Sequence, residues 1–221
     1  MQSIGIFGGT FDPIHYGHLR LAEEMAGALN LREVRFIPAA QPPLRAMPQT
    51  AASHRVEMVR RAITGNPRFV LDEREVRRAE LHAGPSYTVD TLSELRAELG
   101  PAQPLYWLLG ADAFINLPNW HEWRRLFELA HIGVAERPGT LLQQTLDEDL
   151  RSEMARRCVN DPAHTADAAG MISIVPMTPL AISARRIRAA LAAQTSVRYL
   201  LPDAVLDYIQ QQQLYLTQHE Y

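Results

Sequence analysis

The sequence contains no lysine; all 22 of its basic side chains are arginine. That absence excludes Schiff-base chemistry and any lysyl-adenylate intermediate, and it excludes a Walker phosphate loop, which needs a lysine. The dinucleotide fingerprint G-x-G-x-x-G is missing as well, because the first glycines fall at Gly5, Gly8 and Gly9. Cys158 is the single cysteine, so an intramolecular disulfide is impossible. No apolar run approaches membrane-spanning length. Charge of one sign is lacking too: the formal net charge is −3 and the isoelectric point is near 6.2. A chain so balanced has no basic field for tracking a polynucleotide backbone, so a nucleic-acid partner is disfavoured and phosphate must be held by local groups. The first strand begins almost at Met1, which leaves no room for a signal peptide, and the expected location is the reducing cytoplasm.

What is present suits a full core. With 221 residues and 47% hydrophobic content, the chain reads as one α/β domain over 1–221, with 176–221 as a C-terminal helical part. Apolar runs at Ile4–Phe7, Val34–Ile37, Phe69–Leu71, Leu105–Leu109, Ile132–Ala135 and Ile172–Val175 alternate with helical patterns. Such alternation predicts a Rossmann-like, doubly wound parallel sheet. Among the helices, Ser53 is read as the cap of one with Val56, Val59 and Ile63 on its apolar side. Thr88 opens another that Gly100-Pro101 stops at Leu99, Gln143–Arg157 forms a third, and Pro202 starts a terminal one running to about Gln213. Residues 39–50, rich in Pro, Gln and Ala, read as a loop, Asp72–Glu80 as a solvated charged segment, and Asn160–Gly170 as a polar connection.

The densest chemistry lies in the stretch from Ile4 to Leu19. A short buried strand runs straight into Gly8 and Gly9, whose backbone can take positive φ and lets amide groups approach anionic oxygens closely. Thr10 adds a hydroxyl at the same edge, and apolar positions from Leu19 to Leu29 then repeat at helical spacing. The helix therefore begins near Tyr16 to His18, and its free N–H groups and positive dipole end face the loop. His15 and His18, one turn apart, flank that spot as hydrogen-bond donors to oxygens that gain charge during reaction. A zinc site built on the two histidines, or a structural pair, is the competing reading of these residues alone.

Gly8 to His18, reading Gly-Gly-Thr-Phe-Asp-Pro-Ile-His-Tyr-Gly-His, resembles the signature of the H-x-G-H nucleotidyltransferases, and most closely the bacterial nicotinate-mononucleotide adenylyltransferases. The resemblance continues through Pro42-Pro43, Pro85 to Thr88, Gly110-Ala111-Asp112, Trp120, Arg137-Pro138-Gly139 and Ile182-Ser183 to Arg188. It implies that His15 and His18 are catalytic, and that ATP is bound by Gly8, Gly9, Thr10, both histidines, Gly110, Asp112, Arg137, Ile182, Ser183 and Arg188. It also implies that Ser86, Tyr87 and Thr88 recognise nicotinate while Trp120 stacks on the pyridine ring.

The residues themselves admit plainer readings at several of these positions. Asp112 suits a ribose hydroxyl or the cap of a short helix; Ser86 to Thr88 suit a carboxylate or helix capping. Of the two tryptophans three apart, Trp123 is assigned to the core, on the same helical face as Trp120. Ser183 reads as an N-cap, and Arg188 reaches the triphosphate side. Two positions depart from the family pattern: Arg185 stands where Ser or Thr is usual, and Leu44 where a histidine is usual.

The expected reaction is attack of the 5′-phosphate of nicotinate mononucleotide on the α-phosphorus of ATP, giving nicotinate adenine dinucleotide and pyrophosphate. Mg²⁺ is expected on the ATP phosphates with no protein ligand. Nicotinamide mononucleotide as the acceptor, a non-catalytic adenylate-binding module, and metal-dependent hydrolysis through the two histidines are the alternatives.

Overall fold

The structure is a computed structural model that describes residues 2–41, 47–81, 84–136, 145–159 and 167–216. Its centre is a six-stranded, wholly parallel sheet formed by β1 (Ser3–Gly9), β2 (Leu31–Pro38), β3 (Phe69–Leu71), β4 (Leu105–Gly110), β5 (His131–Glu136) and β6 (Ile172–Pro176). The spatial order is β3-β2-β1-β4-β5-β6, so the winding reverses between β1 and β4. A doubly wound sheet of this order opens a crevice at the carboxyl ends of the two strands where direction changes.

Alternation along the central strands feeds two cores. Ile4 and Ile6 of β1 and Leu105, Trp107 and Leu109 of β4 face one side; Phe7, Tyr106 and Leu108 face the other. On the first side pack α4 (Thr88–Leu99) through Val89, Leu92 and Leu95, α5 (Ala111–Ile115) through Phe114, α6 (Leu126–Leu129), and α7 (Glu148–Arg157) through Leu150 and Met154. On the second pack α1 (Tyr16–Ala28) through Ala22 and Met25, α2 (Ala52–Ile63) through Met58 and Val59, α8 (Ala184–Ala192) through Ile187, and α9 (Asp203–Gln211). The last helix is too short to stand alone in water. It is docked by Val205, Leu206 and Ile209, each contributing on the order of 1.5–3 kcal/mol before entropy is counted.

Four local expectations are corrected. The Asp72–Glu80 stretch is not a solvated strip: Asp72 accepts the Arg74 N–H at 3.1 Å and starts α3 (Arg74–Leu81), whose Glu75 is buried. The charges on its other faces hid the one that packs. Ser53 does not cap α2, which starts one residue earlier with Ala51 in the cap position and no side-chain cap. Asp147 caps α7 by accepting the Leu150 N–H at 2.7 Å, so that helix starts later than Gln143. Trp120 and Trp123 do not share a helical face, because Trp120 is an extended residue that ends one 3₁₀ turn and Trp123 opens the next, with Glu122 in the left-handed region between them. Residues 143–144, and 160–166 of the polar connection, lie outside the described residues.

Candidate active site

The carboxyl end of β1 is where the motif acquires its shape. Gly8 and Gly9 stay in extended conformation, with neither at positive φ, which corrects the expectation that conformational freedom explains them. Aromatic rings lie against both and leave no space for a side chain. A Cβ on Gly8 would come within 2.6 Å of the Trp107 ring, and one on Gly9 within 2.8 Å of the Phe11 ring. Phe11 itself takes the left-handed turn, at φ +49°. Its ring folds back among Phe7, Phe36 and His18, edge to face with His18 at 5.2 Å. The Asp12–Pro13 peptide is cis.

His15 occupies the N-cap position of α1 and is 5% exposed; His18 is half-buried in the first turn. The two imidazoles stack with centroids 3.8 Å apart and planes 21° from parallel. The His15 backbone N–H donates to His18 Nδ1 at 3.3 Å. A neutral His18 so engaged carries its proton on Nε2. Gly17 lets the helix pass close to the ring, since a Cβ there would sit 3.0 Å from His15, tight enough that the imidazole would have to shift by a few tenths of an ångström.

The loop joining β1 to α1 is gripped from several directions. Arg55 of α2, 1% exposed, donates to the carbonyls of Thr10 at 2.8 Å, Ala39 at 2.6 Å, Thr50 at 3.2 Å and Ala40 at 3.2 Å. Burial pushes its pKa down, the Asp12 charge pushes it back up, and the guanidinium remains charged. Asp12, 4% exposed, accepts the Gln49 N–H at 2.9 Å and the Tyr215 hydroxyl at 2.6 Å on its two carboxylate oxygens. Arg188 donates from Nη1 to the Asp12 carbonyl at 2.6 Å.

A crevice opens beside this loop, at the reversal of the sheet. Gly17 and Arg20 of α1, Gly110 at the end of β4 with Asp112 beyond it, and Met177 and Thr178 after β6 line it. Asp112 is exposed in the first turn of α5, whose cap position is Gly110, so Asp112 is not the cap. Arg20 pairs with Glu24, which also accepts the Thr178 N–H at 2.8 Å and thereby ties α1 to the chain after β6. Ser183 caps α8 by accepting the Arg186 N–H at 3.3 Å, and Ile182 packs toward Gly17. Arg188, one turn on, reaches the loop, while Arg185 faces solvent. The structure therefore gathers Gly8, Gly9, Thr10, His15, His18, Gly110, Asp112, Ile182, Ser183 and Arg188 around the carboxyl ends of β1, β4 and β6. Arg137 lies outside the described residues, as do Pro42, Pro43, Leu44, Arg45, Pro138 and Gly139.

Ser86, Tyr87 and Thr88 form the entrance of α4. Tyr87 is its cap residue, with no side-chain cap, so the capping reading fails there. The Ser86 N–H is engaged by the Gln41 carbonyl at 3.1 Å, so it is the first N–H groups of α4 that have no intrahelical partner. Tyr87 packs on His121, centroids 4.5 Å apart. Trp123 is buried against Phe127, whereas Trp120 is only half-buried.

Sequence reasoning passed over Asp12, Gly17, Arg55 and Tyr215. Arg55 left one signal: it stands four residues before Val59, on the face its apolar neighbours define. Tyr215 left none.

Residues 6–190 match the sequence profile of the family described as cytidylyltransferase-like. The chain belongs to that family. It is 54% identical over 216 residues to a protein of Dechloromonas aromatica described as a probable nicotinate-nucleotide adenylyltransferase, covering 97% of this chain and 98% of that one. A Pseudomonas aeruginosa protein of the same description is 48% identical over 218 residues, 99% of each chain. Among solved structures, a Plasmodium falciparum nicotinic acid mononucleotide adenylyltransferase complexed with NaAD superposes with a TM-score of 0.72 at 20% identity, over 97% of this chain and 98% of that one. That likeness shows a shared fold. Among the described residues no helix is long and apolar enough to cross a membrane.

Proposed function

We propose that this family member is a nicotinate-nucleotide adenylyltransferase, which joins ATP and nicotinate mononucleotide into nicotinate adenine dinucleotide and releases pyrophosphate in the cytoplasm. The observation that carries the reading is the stacked pair His15 and His18, fixed at the N-terminus of α1 and beside the crevice at the sheet reversal. Two relatives at 48% and 54% identity carry the same description.

The chemistry asks little of the protein beyond alignment and charge neutralisation. The acceptor's 5′-phosphate is already an anion, so its oxygen attacks the α-phosphorus without a base. The bond from that phosphorus to the bridging oxygen breaks, and its electron pair leaves on pyrophosphate. His18 Nε2 and His15 donate to oxygens on which charge builds, and Gly8, Gly9 and Thr10 leave room for phosphate beside them. Arg188 closes the other side with Ser183, and the adenosine lies along Gly110, Asp112 and Ile182. ATP would enter as its Mg²⁺ complex, in which the ion would neutralise charge on the phosphates.

The acceptor's carboxylate meets the free N–H groups at the start of α4, by Ser86, Tyr87 and Thr88, and its ring lies against the exposed side of Trp120. A charged acceptor there gains over a neutral one, so steady-state rates with ATP and each mononucleotide should favour the acid over the amide in kcat/KM by at least about tenfold. Equal or better use of the amide would overturn the acceptor assignment; absence of pyrophosphate release with either would overturn the reaction.

A further inference from the structure

Asp12, in the loop that leads into α1 and its two histidines, is held by three groups from distant parts of the chain: the Gln49 N–H, the Tyr215 hydroxyl and the Arg188 guanidinium. Tyr215 stands apart from the others, because neither the motif nor the reaction calls for a residue this far along. It lies four residues beyond α9 and 203 positions after its partner. Gln213 and Tyr215 both take positive φ, +51° and +65°, in the left-handed region that L side chains avoid. Two such turns swing the phenol inward, where its O–H donates to Asp12 at 2.6 Å. Burial and the adjacent carboxylate both raise the pKa of the phenol, so it remains a donor across the ordinary assay range.

On its other side, the same Asp12 residue presents its carbonyl to Arg188. Rotation of the Asp12 peptide would redirect that guanidinium, and His15 lies only three residues along the same loop. We infer that Tyr215 is a positioning residue for adenylyl transfer: by holding the Asp12 carboxylate, it fixes the peptide whose carbonyl aims Arg188 at the triphosphate. This deepens the proposed function and rests on it for placing the triphosphate beside Arg188. A Tyr215 that merely anchored the chain end would affect stability and leave nucleotide binding as it is.

Tyr215→Phe removes one oxygen and keeps the ring. Affinity for a non-hydrolysable ATP analogue, measured by calorimetry, should fall by about five- to tenfold, the loss expected when a charge-directed contact is misaimed. With ATP and nicotinate mononucleotide, kcat should fall about tenfold or more while KM for the mononucleotide stays within about twofold. Combining Tyr215→Phe with Arg188→Ala should cost no more than Arg188→Ala alone, because both losses pass through one guanidinium. Wild-type affinity for the analogue in folded Tyr215→Phe, or losses that multiply in the double variant, would overturn the inference.

If Tyr215→Phe melts below the assay temperature, Asp12→Asn asks the same question from the other partner. It should weaken analogue binding selectively, and unchanged binding overturns the inference equally. A wild-type protein that binds the analogue yet fails with nicotinate mononucleotide would refute the proposed acceptor, and the Tyr215 inference would still be decided by the analogue affinities.

Discussion

Replacing Glu75 by glutamine should stabilise the protein above neutral pH and do little in acid. Glu75 lies on α3 with 5% of its surface exposed, and burial raises its carboxyl pKa to about 7 from 4.5. The hydrogen bond from Thr91 Oγ1, at 2.8 Å, and the nearby Arg78 charge pull the other way without compensating. Since the folded state holds this proton more tightly than the unfolded chain, stability falls as pH rises from about 4.5 to about 7 and then levels off. A difference of this size corresponds to about 3 kcal/mol in full, of which about 2–3 kcal/mol develops between pH 5 and pH 8. Glutamine keeps an acceptor for Thr91 and removes the titration, although its amide hydrogens need partners and offset part of the gain. The two melting temperatures should therefore diverge by roughly 5–10 °C across that interval for a chain of this length. His131 titrates in the opposite sense: burial lowers its pKa, so its contribution is lost as pH drops through about 6.5 and below. Being common to both proteins, that slope cancels in the comparison. Thermal unfolding of the pair at several pH values decides the matter, and parallel curves would refute the account of Glu75.

Two substitutions at the histidine pair separate function from folding. His18→Ala should lower turnover on the order of a hundredfold, as removal of one preorganised donor does, with the melting temperature changed by only a few degrees; a folded variant with full turnover would remove His18 from the reaction. Gly17→Ala should improve helix propensity yet push a Cβ to 3.0 Å from the His15 ring. Its expected signature is a melting temperature at or above wild type combined with roughly tenfold slower turnover, and undiminished activity would show that the close approach is tolerated.

How far the sequence could be read depended on whether a feature was local. β3 at Phe69–Leu71 and α4 at Thr88–Leu99 match their expected limits, because an apolar triplet and a glycine-proline stop are short-range signals. The other strands fall within a few residues of expectation, since a central parallel strand has to be apolar on both faces. Ser183 was legible as a cap for the same short-range reason. Glu75 was not legible, because five charges among eight residues of α3 outweigh the one turn that faces inward. The glycines at Gly8 and Gly9 were recognised as necessary, but positive φ, one of the two reasons given, is not used, and the rings of Phe11 and of Trp107 on β4 that exclude a Cβ were not foreseen. The grips on Asp12 lay beyond reach, with partners 37 and 203 positions away and no pattern linking them.

Arg55 carries a consequence for the order of folding. Its four acceptors lie 5, 15, 16 and 45 positions from it, on the exits of two neighbouring strands and on the chain entering its own helix. No subset of local structure brings those carbonyls together. The guanidinium finds them only after the first two strands have zipped and the second helix has landed, so a nascent chain halted earlier owns its secondary structure but not the fixed course of the loop between β1 and α1.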